Sequence, residues 1–246
     1  MMATAEVLFS LYEAALEPAR ARLEQGRALE SVLAGSDAAK FARFMIFVSA
    51  FGLGMTEPVP QWIRRAGERS SELGFTELGR ALVARARHEG EHYKLMLRDL
   101  DKLTDFYAAE YGPGAFDVDA LLAEPYPPGV ESYRRLREEL IAGSAPFAEL
   151  AVDYELEALS VRVGPRLLDR VGRLLGTRLL EALSLVDEQA LVDARHTRFN
   201  QNELVRLLSQ DARVARPLVQ AGTRALDAYG AFLDDCWLRA ERPTPR

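Results

Sequence analysis

Apolar residues along the chain recur at three- and four-residue spacing, and no stretch alternates with the period of two that a half-buried strand requires. Leu, Ala, Arg and Glu dominate, and all are good helix formers. The pattern predicts an all-α helical bundle of about seven to eight helices. The first covers roughly Thr4 to Leu33, with Pro18 as the expected kink. Gly35-Ser36-Asp37 ends it and offers Ser36 or Asp37 as a cap for the next, Ala38 to about Gly52. That second helix is apolar nearly all round and belongs in the centre. After Pro58 and Pro60 a third runs from about Gln61 to Leu73, with Gly74 as its C-terminal cap.

A fourth helix is expected from about Thr76 to Leu103. The segment Thr104 to Gly129 is rich in proline and glycine and reads as a long loop or lid. A fifth helix follows over Val130 to Ala142. A sixth starts near Ala145-Pro146 and is interrupted near Gly164-Pro165. A seventh covers about Thr177 to Leu208, and the last runs from Val214 to about Leu238. No internal repeat or low-complexity segment is present.

The 246 residues fit one large domain, and 48% hydrophobic with 28% charged content gives a water-soluble core-forming chain. The net charge of −6 argues against a nucleic-acid partner, which favours a basic patch. The longest strongly apolar run, Phe44 to Leu53, is about half a bilayer span, so no membrane partner is expected and the run is read as a core helix able to wall a pocket. Met1 to Phe9 lacks the layout of a signal peptide. The lone Cys236 allows no intrachain disulfide, which suits a cytoplasmic protein.

Three segments concentrate residues able to bind metals. The first is Arg87 to Tyr93, with His88, Glu89, Glu91 and His92; the second is Asp153 to Glu157; the third is Asp187 to His196. All three histidines of the chain lie in the first and third. Residues three or four apart share a helix face, so Glu89 pairs with His92 and Asp193 with His196. His88 with His92, and Glu91 beside His88, form a competing register. The apolar Leu82, Leu95, Met96 and Leu100 favour Glu89 and His92 as the inward pair. Glu149, Asp153 and Glu157 share one face of the sixth helix, and Glu155 is the alternative acid. A solvated acidic face paired with Arg162 or Arg166 is the plainer reading of that helix. A carboxylate and an imidazole from each of two helices, with a further carboxylate from a third, make a shell suited to iron or manganese.

These residues carry a resemblance to the haem-oxygenase-like diiron oxidase and oxygenase superfamily, including its iron-containing redox enzyme members. It covers roughly Phe41 to Leu208 and rests on His88-Glu89-Gly90-Glu91-His92, on Tyr154-Glu155-Leu156-Glu157-Ala158 and on Gln189-x3-Asp193-x2-His196. The resemblance implies one haem-oxygenase-like domain over residues 1–246. It further implies one or two iron ions held by Glu89, His92, Glu157, Asp193 and His196. The implied activity is an O2-activating oxidase or oxygenase acting on a small organic substrate, with homodimerisation left open. Two positions depart from the pattern. Gln189 stands where the family usually has histidine, and a neutral amide is a poor iron ligand. Arg85 stands where some members carry glutamate. The alternative is therefore a metal-free enzyme or binding scaffold of the same fold with a degenerate metal site. A thiol mechanism of the thiaminase kind is disfavoured by the place of Cys236 beside Trp237 near the chain end. Haem degradation is disfavoured because the first helix holds no histidine.

Overall fold

The computed structural model describes the backbone of residues 2–87, 89 and 92–242, and the side chains of these residues except 2–5, 92 and 184–196. The described residues are helical with no strand. In chain order the helices are α1 (Met2–Glu24), α2 (Arg27–Ala34), α3 (Ala38–Thr56), α4 (Val59–Glu72), α5 (Thr76–Ala86), α6 (His92–Tyr111), α7 (Val118–Leu122), α8 (Pro128–Ala142), α9 (Glu149–Leu175), α10 (Thr177–Ala182), α11 (Ser184–Gln210) and α12 (Ala215–Ala240).

The central helix is α12, which packs on α1, α3, α8 and α9; α3 lies against α6, and α9 against α11. The expected core helix α3 buries Phe41, Phe44, Met45, Ile46 and Phe51, and Asp37 caps it by accepting from the Lys40 backbone N–H at 2.9 Å. One window of the stretch Ala38–Glu72 is apolar enough to cross a bilayer, and 67% of that window is buried inside the fold.

Several expected boundaries move, each for a local reason. Pro18 does not break the first helix: it and Ala14, whose carbonyl it leaves without an N–H partner, both face solvent, where water satisfies that oxygen. The break falls at Gly26, which is extended (φ −63°, ψ 147°). The expected fourth helix is two, α5 and α6, and Glu89 lies between them rather than on either. Gly90 in that stretch is a poor helix former. Helix α6 runs on through Thr104 to Tyr111 because Leu103 and Tyr107 continue its buried stripe. The long connection also contains α7, capped by Asp117. Helix α9 passes unbroken through Gly164-Pro165. The expected seventh helix is split between α10 and α11 at Leu183.

The interior also holds charge. Arg137 of α8 is 2% exposed, and its guanidinium ion-pairs with Asp153 at 2.7 Å and, closer still, with Glu149. Both acids come from the first two turns of α9, so the pair of helices is joined by a buried cation. The Tyr133 hydroxyl accepts from the Arg137 Nε at 3.1 Å. A second buried network ties α1 to α9. Glu155, fully buried, accepts from the Tyr12 hydroxyl at 2.9 Å and from Arg20 Nε at 2.8 Å. Glu155 is thereby committed to α1.

Two outcomes test this packing. The start of α8 touches α12 backbone to backbone: a Cβ on Gly129 would sit 2.2 Å from the Phe232 nitrogen. Gly129→Ala should therefore cost at least about 2 kcal/mol in urea unfolding, since backbone cannot move aside as a side-chain tip can. The second concerns pH. Burial pushes the Glu149 carboxyl up from 4.5 to about 7, outweighing the opposing pull of Arg137. A carboxyl with a raised folded-state pKa binds its proton more tightly in the native state. Its contribution is complete below the unfolded value near 4.5 and is lost as pH rises through about 7. Wild-type stability should fall between those limits relative to Glu149→Gln, which has no proton to lose. Parallel pH profiles for the two proteins would contradict this.

Candidate functional site

The site assembles around Arg85, in the last turn of α5. Its side chain is 6% exposed and its guanidinium is surrounded by acceptors from three other places in the chain. Nη1 donates to Asp153 Oδ2 at 3.2 Å and to Asn200 Oδ1 at 2.5 Å. Nη2 donates to Glu89 Oε1 at 3.3 Å and, at shorter range, to Glu157 Oε1. Asn200, fully buried on α11, completes the ring by donating its amide N–H to Glu157 Oε2 at 2.6 Å. Burial by itself opposes the charge on Arg85, but Asp153, Glu157 and Glu89 together raise its affinity for its proton above the ordinary arginine value. The guanidinium is a fixed cation.

Helix α9 supplies the acids in register. Glu149, Asp153 and Glu157 lie at i, i+4 and i+8 and so form one stripe. Glu149 faces Arg137, Glu157 faces Arg85, and Asp153 bridges the two arginines. The plainer expectation for this stripe was a solvated face paired with Arg162 or Arg166. Arg162 instead pairs with Glu24 at 3.1 Å, and the stripe is buried against cations from α5 and α8.

Of the five residues expected to hold metal, Glu89 and Glu157 come together, both on the Arg85 Nη2. His92 begins α6, and Asp193 and His196 lie on α11, but their side chains fall outside the described residues, as does that of Gln189. His88 and Glu91, the competing register, also lie outside them. Glu89 and His92 are not neighbours on one helix, because Glu89 precedes α6. Among the described residues no group of three or more His, Cys, Asp or Glu is arranged to hold a metal ion.

Fit to iron can be tested on these donors. A metal shell using Glu89 and Glu157 needs their oxygens open. Both carboxylates accept from a guanidinium that does not titrate, and the second oxygen of Glu157 accepts from Asn200. A cation already stands between them, and removing it would leave it buried and unpaired. Glu89 and Glu157 as placed do not fit an iron shell that retains Arg85 between them.

Arg85 and Asn200 were the members the sequence reading did not assign to the site. A signal for each existed. Arg85 precedes Glu89 by four residues. Asn200 follows His196 by four and extends the stripe of Gln189, Asp193 and His196. Cys236 is fully buried, and burial first, then Asp235, pushes its thiol well above the usual value, so it stays protonated and is no nucleophile.

A second feature lies beside this cluster. Farther along α6 and α9 is a cavity of about 360 Å³, walled also by α2, α3 and α12.

No family profile matches the chain, and no curated protein does. Among solved structures it is similar to a domain of unknown function with a haem oxygenase-like fold from Shewanella denitrificans OS217. The two share 17% identity with a TM-score of 0.62, over 95% of this chain and 90% of that one. At such identity the likeness speaks for backbone arrangement alone, which agrees with the helix order and packing described above. This all-helical chain has the haem-oxygenase-like fold.

Proposed function

We propose that the protein is a metal-independent, small-molecule-binding member of the haem-oxygenase-like fold. The observation that carries this reading is Arg85, whose guanidinium sits among Glu89, Asp153 and Glu157 and supplies the positive charge that buried carboxylates need. Arginine is suited to that role because it presents several donors in a plane and keeps its charge when buried. The cluster then acts as a rigid floor that joins α5, α9 and α11, and the cavity farther along α6 and α9 takes the ligand. Concave, largely apolar cavities with a few polar groups are the usual small-molecule sites.

A second reading is the O2-activating non-haem iron oxidase. It is favoured by charge. Among the described residues, four buried or half-buried carboxylates (Glu89, Glu149, Asp153 and Glu157) face two guanidinium groups, those of Arg85 and Arg137. Such an excess of negative charge attracts a further cation. Iron at this position would draw on His92, Asp193 and His196.

Metal analysis of protein purified from iron-supplemented medium separates the two. On the metal-independent reading, the wild type carries far less than stoichiometric iron, and Arg85→Glu, which exchanges the resident cation for a donor, raises the metal content. Arg85→Ala should cost roughly 3–5 kcal/mol of stability, because Glu89, Asp153 and Glu157 each lose an ion-pair contact with a buried cation. Stoichiometric iron in the wild type, lost in His196→Ala, would establish the oxidase reading instead.

A further inference from the structure

The cavity along α6 and α9 is apolar over most of its wall, with Val32, Phe44, Leu103, Val171 and Leu233 among the lining residues. Its α9 side runs from Leu159 to Val171, about 18 Å of helix at 1.5 Å per residue, which is length enough for an extended chain. A dry cavity of about 150 Å³ takes benzene, so the 360 Å³ here takes on the order of a dozen non-hydrogen atoms.

The polar side chains of this wall are few, and none offers an unanswered charge. Asp99 is the one charged residue among the described lining. It is paired with Lys102, whose ammonium lies 3.7 Å away and also donates to the Ala182 carbonyl. Among the described residues no Lys, Arg or His lines the cavity. What remains is the hydroxyls of Ser49, Ser160 and Tyr229. Ser160 donates to the Leu156 carbonyl at 3.1 Å, the common habit of a hydroxyl inside a helix, and Thr56 of α3 does the same to Gly52. Ser49 differs. It is 3% exposed and lies one turn after Met45 on the face of α3 that lines the cavity. Among the described residues its hydroxyl has no hydrogen-bond partner, so it can both donate to and accept from a ligand oxygen.

We propose that this cavity binds an uncharged, elongated molecule of the medium-chain aliphatic alcohol class, with its one oxygen at the Ser49 hydroxyl. The apolar walls take the hydrocarbon, and the missing charge selects the head. A carboxylate head would give up its water with no cation among the described lining to replace it. An ammonium head would lose its water beside a carboxylate that Lys102 already meets, and would face that like charge. A hydroxyl costs less to desolvate and recovers its hydrogen bonds at Ser49. This inference rests on the small-molecule reading above and does not depend on the charge chemistry at Arg85.

Calorimetric titration of the full chain with octanol, octanoate, octylamine and butylbenzene, each below its aggregation concentration, tests it. Octanol should bind at least tenfold more tightly than either ion. Ser49→Ala, which removes one oxygen and no bulk, should weaken octanol three- to tenfold and leave butylbenzene, which has no polar group, as in the wild type. Gly164 lines the cavity, and a Cβ there would meet nothing within 4 Å. Gly164→Phe should therefore weaken octanol and butylbenzene at least tenfold, with the helical circular dichroism of the free protein unchanged. Either ion binding as tightly as octanol, or octanol unaffected by Ser49→Ala, overturns the alcohol class and leaves the small-molecule reading standing. Failure of every probe to bind, or wild-type affinity in folded Gly164→Phe, overturns the cavity as a ligand site and the small-molecule reading with it.

Discussion

Burial of two arginines against one stripe of acids is the interaction on which the interior depends. Arg85 and Arg137 reach α9 from α5 and α8, and Asp153 touches both. Neither guanidinium can shed its charge, so each must keep its carboxylates, and the carboxylates must keep their cation. An apolar core of leucines tolerates sliding and repacking more readily than this arrangement does. The stripe therefore fixes the register of α9 relative to α5 and α8. Through Asn200 it also fixes α11. The Arg20–Glu155–Tyr12 network does the same for α1 from the adjacent face of α9. Helix α9 is in this sense the charged spine of the bundle, while α12 is its apolar centre.

The same constraint shapes the chemistry available. Interior carboxylates from separate elements can be neutralised by a proton, a metal or a basic side chain. All the described acids of the stripe meet arginine, and Glu149, the most deeply buried, is also held near protonation by desolvation. A residue that keeps its charge makes a structural cation permanent, whereas a metal shell could be emptied. This difference separates a protein that uses the position for architecture from one that uses it for redox work. The cavity farther along α6 and α9 lies outside this stripe, and its lining is almost wholly apolar.

That turn illustrates how one local sequence can be read two ways. Gly-Pro usually ends a helix, because glycine is flexible and proline lacks a donor. Here α9, which packs on α10, α11 and α12, continues through it. The helix retains its direction, and Pro165 leaves the Val161 carbonyl without its helical N–H partner. Tertiary packing has overridden local propensity, and the local features that remain are those that border the cavity.

The sequence by itself determined the helical class, the position of α3 in the core, a cap for it at Ser36 or Asp37, and the grouping of Glu149, Asp153 and Glu157 on one face. These follow from periodicity and capping chemistry, which act within a few residues. It also singled out Glu89 and Glu157, which do meet, and it marked Arg85 as a departure from the family pattern. Only the tertiary structure decided what neutralises those acids. Glu157 could have faced solvent, a metal or an arginine with the same helical spacing, and the choice was made by residues 72 positions away in sequence, on another helix. The ends of long helices were likewise settled by packing: Pro18 is tolerated because its side of α1 faces water, and the Thr104 region stays helical because Tyr107 is buried. Electrostatic partnership between distant residues and the solvent exposure of a given turn are properties of the assembled bundle, and no local pattern encodes them.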